Sequence, residues 1–218
     1  MTRDIWYNGR RTATRPIASR HLIISCGQES EINYFEGFEK FIKQQEKNRL
    51  VEFCYAVDPV DPMNMANKVK KRTLKAERDN NCHIDHVWVL FDKDDFTQEN
   101  FNNAISKIES IEKNETTFHV LWSNQCYELW LLLNFCNMQS AIDRSSYIEK
   151  LELYLKEKYS KSDKLIFEKI NLKGGNILKA IRFAKALVDE SLSPAKNDPA
   201  TKIYEFFEHF NKYLNLWE

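Results

Sequence analysis

The chain has 218 residues, 43% apolar and 13% aromatic, enough for one sizeable α/β domain or for a domain with an appendage. Thirty-two basic residues balance 32 acidic ones, so there is no global pull toward nucleic acid, and any surface for a polyanion has to be a local patch. Five cysteines (Cys26, Cys54, Cys82, Cys126, Cys136) without a C-x-x-C pair argue against a disulfide frame; with no membrane-length apolar run and no secretory-type N-terminus, the expected compartment is the cytoplasm.

Residues 1–20 form a basic arm, with Arg3, Arg10, Arg11, Arg15 and Arg20 against Asp4 alone. Such an arm is either a solvated tail or a contact for phosphate or a partner. Residues 22–26, closed by Gly27, read as a first strand. Ser30 is placed to cap a helix carrying Tyr34, Phe35, Phe38 and Phe41 on one face. A second strand is predicted over 50–57, a rigid turn over 58–62 and a lysine-rich polar helix over 64–78. A third strand follows over 87–91. A helix over 98–111 turns Phe101, Ala104, Ile105 and Ile108 inward, and a fourth strand spans 118–122. This alternation predicts an α/β fold: a mostly parallel four-stranded sheet with right-handed crossovers, flanked by helices.

After Ser123 the pattern is helical. A buried helix is expected over 127–135, and an amphipathic one over 146–158 with Ile148, Leu151, Tyr154 and Leu155 inward. Gly174-Gly175 is a break. Helices are expected over 176–191 and 201–214, the last bearing Tyr204, Phe207 and Phe210, with a loop over 194–199 between them. The predicted organisation is an arm over 1–20, an α/β core over 21–136 and an all-helical region over 137–218 packed on that core.

The chemistry centres on residues 86–95. An apolar run ends in Asp92, Asp94 and Asp95, which places three acids at a strand's C-terminal tip, where open α/β sheets collect ligands. Like charges this close repel unless a cation sits among them, and oxygen-only donors suit Mg2+ or Mn2+. Gln28, Glu29 and Glu31 follow the first strand and can meet them. Glu128 is a carboxylate in an otherwise apolar helix; it reaches a cation or donors, or else is a first-turn glutamate stabilised by the helix dipole. A solvated acidic turn is the bland alternative for the aspartates. Cys82-His83-x-x-His86 lacks a second ligand pair for zinc, Cys126 reads as packing, and neither a Walker loop nor G-x-G-x-x-G is present.

Four phrases, taken in order, resemble the RloB-like family of abortive-infection proteins, which is related to the TOPRIM fold. They are residues 23–35 (strand, Gly27, then Glu-Ser-Glu-Ile-Asn-Tyr-Phe), 87–96, 123–135 (Ser-Asn-Gln-Cys-Tyr-Glu-Leu-Trp) and, loosely, 197–201. The resemblance spans roughly 15–214. It implies a TOPRIM-like core, divalent-metal nuclease activity on DNA or RNA (tRNA included), a role in antiphage defence and a companion ATPase. By position it makes Asp92 and Asp94 metal ligands; Asp95, from the same strand tip, and Glu31 are the further candidate ligands. Glu31, Glu29 and Glu128 become candidate ligands or acid–base groups. Ser123, Asn124, Lys93, Arg182 and Lys202 are the candidate substrate contacts. The family usually has a glutamate directly before the glycine that ends the first strand, and here that place is Cys26. Either Glu29 or Glu31 substitutes from the following turn, or the site is altered. The expected partners are a nucleic-acid substrate, the ATPase and a second copy of the chain, and not a membrane. A degenerate module that binds without cutting is the alternative, and a sugar-nucleotide transferase a distant third.

Overall fold

The computed structural model describes residues 18–27, 29–45, 50–112 and 115–214. Arg3, Arg10, Arg11, Arg15 and Gln28 lie outside the described residues, as does the side chain of Glu29. Arg20 belongs to the first strand rather than to an arm, and its guanidinium is 2.7 Å from Glu52.

The elements in chain order are β1 (Ser19–Ser25), α1 (Glu29–Gln44), β2 (Val51–Val57), α2 (Pro62–Asn80), β3 (His86–Asp92), α3 (Gln98–Glu109) and β4 (Thr117–Asn124). They are followed by α4 (Glu128–Leu133), α5 (Arg144–Leu155), α6 (Ile166–Leu172), α7 (Ile177–Leu187), β5 (Ala200–Thr201) and α8 (Tyr204–Leu214). Among the described residues the sheet has five strands in the order β2-β1-β3-β4-β5, not four. The first four are parallel, and β5 pairs antiparallel with the end of β4. The C-terminal part is therefore not all helical.

The central strands are apolar along their whole length because both faces are covered. Successive side chains alternate between faces. Leu22, Ile24, Val87 and Val89 pack against Met65 and Val69 of α2 and Phe101 and Ile105 of α3. Ile23, Trp88 and Leu90 join the opposite core with α1 and α4 to α8. In that core Phe207 of α8 stacks on Trp130 of α4 at 5.0 Å and Phe35 of α1 at 5.8 Å. The residues after 137 thus share a core with the first helix.

Local chemistry sets several boundaries. Asp61 accepts the Asn64 N–H at 3.0 Å and Pro62 takes the first position of α2, so the helix starts within the predicted turn. Thr97 caps α3 by accepting from Asn100, and Asn176 caps α7 by accepting from Lys179. Ser30 lies inside α1 rather than capping it, and its hydroxyl donates to Glu31. In α5 Tyr147, not Tyr154, is the buried aromatic. The short α6 packs on α1 at Gly37, where a Cβ would come within 2.4 Å of Phe167 Cβ.

Candidate metal centre

The C-terminal ends of β1, β3 and β4 lie side by side on one rim because the three strands are parallel neighbours. Ser25 is level with Leu90, and Asp92 with Ser123. Beyond the strands the Cys26 N–H donates to the Leu90 carbonyl, and the Lys93 and Asp94 N–H groups donate to Ser123 and Gln125 carbonyls. The tips are thereby stitched together before they turn into helices.

Four acids interact on this rim. Asp92 accepts the Tyr127 N–H at 3.0 Å. Burial first, and then the charges of Glu31, Glu128 and Asp94, lift its carboxyl well above the usual carboxylate range. Glu31, in the first turn of α1, is 8% exposed. It accepts from Ser30 Oγ at 3.0 Å and Ser25 Oγ at 3.4 Å. Burial raises its carboxyl, with the Glu128 charge adding and Lys161 opposing. Asp94 sits in left-handed backbone (φ 41°), which aspartate tolerates, and Arg144 Nη1 reaches its Oδ1 at 2.6 Å. Glu128 is 0% exposed, with the Cys126 thiol beside it, and among the described residues no group meets its oxygens in full hydrogen-bond geometry. Lys161 Nζ lies 3.2 Å from its Oε1, an ion pair without hydrogen-bond geometry.

Glu31, Asp92 and Asp94 line a cavity of about 570 Å³ together with Cys26, Arg144 and Lys161, and the start of α2 closes one side. Gly27 shapes this cavity. A Cβ there would sit 2.5 Å from Glu31 Oε1, so the missing side chain lets the Glu31 carboxylate fold back to the end of β1. Glu31 thereby comes beside Cys26. The Cys26 thiol is held protonated by burial and by the charges of Asp58, Glu31, Asp92 and Asp61.

The other predicted contacts go elsewhere. Asp95 is exposed and turns into a neighbouring cavity of about 330 Å³, with Lys93 and Asn124. Asn124 is 3% exposed and donates to the Ala195 carbonyl, while Lys93 Nζ donates to the Asp94 carbonyl. Ser123 is 0% exposed and spends its hydroxyl on Thr201, so no substrate reaches it. Arg182 lies over the Phe183 ring on the outer face of α7, and Lys202 pairs with Glu190 and Glu205; neither lines the acid cavity. Arg144 and Lys161, the cations that do line it, are not among the contacts expected from the sequence.

A second cluster occupies the opposite end of the strands. His21 and His86, register partners on β1 and β3, stack at 4.8 Å, and His209 of α8 covers them. The ligand-type atoms of these three lie within 4.8 Å of one another. Trp88 Nε1–H donates to His21 Nδ1 at 3.0 Å, so the neutral ring carries its proton on Nε2. That nitrogen is buried without a partner among the described residues. A protonated nitrogen has no lone pair to give a metal. His86 from the Cys82-His83-x-x-His86 phrase is here, but Cys82 is not.

Residues 21–210 match the family model described as RloB-like protein. The chain belongs to the RloB-like family. No curated protein and no solved structure matches this RloB-like chain.

Proposed function

We propose that this RloB-like protein is a divalent-metal-dependent nuclease with a TOPRIM-like acid rim. It would cut phosphodiester bonds in DNA or RNA, tRNA included, as the cytoplasmic effector of an antiphage abortive-infection system with a companion ATPase. The observation that carries this reading is the meeting of Glu31, Asp92, Asp94 and Glu128 on one rim, with the fully buried Glu128 carboxylate offset by a single ion pair to Lys161 among the described residues. Among the described residues, no helix is long and apolar enough to cross a membrane.

The donors fit the implied ion. They are carboxylates, as Mg2+ and Mn2+ prefer, and their mutual repulsion asks for a cation. Asp92 and Asp94 would hold it, with Glu128 adding negative charge. When bound, the ion supplies charge neutralisation for a phosphoryl oxygen. Arg144 and Lys161 line the same cavity and attract the phosphate. Glu31, its carboxyl raised and its orientation set by Ser30 and Ser25, is suited to exchanging a proton.

The test is cleavage of DNA and RNA by the chain with its ATPase in Mg2+ or Mn2+. Wild type cuts and chelator stops it, and Glu31→Gln lowers the rate about 100-fold or more. No cutting by wild type, or equal cutting by the variant, ends the reading. Gly27→Ala tests the geometry. Its methyl meets only the flexible end of Glu31, so the melting temperature is expected to hold within a few degrees. Cleavage is expected to fall by about two orders of magnitude, as for a misplacement near 1 Å. A Gly27→Ala protein cutting at the wild-type rate would show that the carboxylate's position is immaterial.

One observation favours a second reading, a degenerate module that binds without cutting. Cys26 holds the usual glutamate position as a protonated thiol, and Arg144 and Lys161 already face Asp94 and Glu128. Calorimetry with MnCl2 separates the two, because a degenerate site binds the ion no better before Asp94→Ala than after it.

A further inference from the structure

The protein has no net charge, yet one face of α2 carries five basic residues, with a single acid, Asp79, at its far end. Lys68, Lys71, Arg72, Lys75 and Arg78 recur at three- and four-residue steps, which puts them in one row along the helix. The opposite side of the helix, with Met65, Ala66, Val69 and Thr73, is buried against the sheet. The row lines a shallow concavity of about 200 Å³ whose wall is these five side chains alone.

Several basic groups elsewhere are paired, while others, such as Lys164, Lys173 and Lys179, stand singly and not in a row. Lys43 bonds Glu39, Lys158 bonds Glu152, Lys169 bonds Glu157 and Asp163, and Lys185 bonds Glu208. Among the described residues, Arg72 alone of the basic groups on α2 has an acidic partner, Asp58. Among the described residues Lys68, Lys71, Lys75 and Arg78 have none within 4.0 Å, and all four are exposed. Like charges at i,i+3 and i,i+4 weaken an isolated helix, so this arrangement costs stability that an anion would restore.

The row also has a direction. Asp61 and Pro62, at the start of α2, line the acid cavity, and the row begins six residues on at Lys68. From Lys68 to Arg78 it runs about 15 Å along the helix axis. A strand of nucleic acid presents a charge about every 3.4 Å along a duplex axis, so several phosphates fall within its reach.

We infer that the Lys68–Lys71–Lys75 row of α2 is a docking track for a nucleic-acid backbone, leading from the acid rim across the flank of the sheet. The choice of nucleic acid as the polyanion rests on the proposed function; the track itself does not require cutting. It is sequence-blind, since point charges on flexible stems grip phosphate without reading bases.

The test is binding of the full-length chain, in EDTA, to fluorescent single-stranded RNA, single-stranded DNA and duplex DNA, followed by anisotropy over a salt series. Lys68→Gln/Lys71→Gln/Lys75→Gln is expected to weaken binding about tenfold or more at about 0.1 M salt. The slope of log K against log salt should become shallower by about 2, the loss of three single-strand phosphate contacts. The control Lys164→Gln/Lys173→Gln/Lys179→Gln removes the same charge from exposed sites elsewhere and is expected to change neither. Equal losses in both triples, no loss in the α2 triple, or no binding by wild type overturns the inference. Row-dependent binding of polyglutamate with none of nucleic acid overturns it in favour of an acidic protein surface. Row-dependent nucleic-acid binding by a chain that never cuts leaves the track standing and removes the nuclease reading.

Discussion

Asp92→Asn is expected to stabilise the metal-free protein while abolishing its cleavage. The amide fills the same space, and its oxygen can still accept the Tyr127 N–H. What disappears is one charge of four that repel each other in a buried setting. The sign follows from linkage. A carboxyl whose folded pKa lies above its unfolded value contributes stability below about pH 4 and loses it as pH rises through the folded value. Ionised Asp92 is therefore a burden at neutral pH and none in acid. Its removal should raise stability by about 1–2 kcal/mol at pH 7, or roughly 2–8 °C in a chain of this size, with the gain vanishing near pH 4. Adding Mn2+ should raise the melting point of wild type and leave the variant unmoved, since only wild type gains binding energy. Cleavage should fall about 100-fold or more. A variant that melts lower than wild type at pH 7 without metal would mean that the rim is not a site of stored repulsion. One that still cuts would remove Asp92 from the chemistry.

How much of this can be read in advance depends on whether the signal is local. The strands β1, β3 and β4 announce themselves because both faces are buried, giving apolar runs with sharp polar ends. Their order brings Asp92 and Glu31 to one rim, and Glu128 follows from its position just after β4. The start of α2 is legible too, since Asp61-Pro62 is a cap followed by a first-turn proline, although the same residues also spell a turn. Two residues are too few to carry a strand's alternation, which is why β5 leaves no trace, and α6 is only seven residues long. The cations of the rim are invisible for a different reason. Arg144 meets Asp94 across 50 positions, and Lys161 comes from the loop after α5. Nothing in their own neighbourhoods marks them. Ser123 and Asp95 depart from expectation through backbone geometry. Strand pairing turns Ser123 toward β5, and the left-handed residue at Asp94 swings Asp95 out of the acid cavity.

The histidines at the other end of the sheet should make the fold sensitive to acid. His21 is 0% exposed, and burial followed by the charges of His86, His209 and His119 pushes its pKa down to about 2. His209 falls to about 4 through burial and His86, and His86 is lowered by burial, with Asp85 opposing. The groups packed around His21 are thus Phe53, Phe210, Trp88 and other histidines, with no carboxylate among the described residues acting on it. Below about pH 6.5 the unfolded chain takes up protons that these folded rings refuse. Stability is present above that pH and is lost as it falls, toward about 4 for His209 and about 2 for His21, by at most about 1.4 kcal/mol per pH unit for each ring. The acid rim works in the opposite sense, since Glu31 and Asp92 bind protons more readily folded than unfolded. Only a comparison of variants isolates the histidines. In His21→Asn the side-chain oxygen takes the place of Nδ1 as acceptor for Trp88, and the titrating ring is gone. The variant should be weaker at pH 7, because it leaves a cavity, yet its urea midpoint should decline less steeply from about pH 6.5 to 4. The difference in slope should correspond to about one proton. Parallel curves would mean that His21 gains its proton without unfolding, through an acceptor or a water path that reaches Nε2.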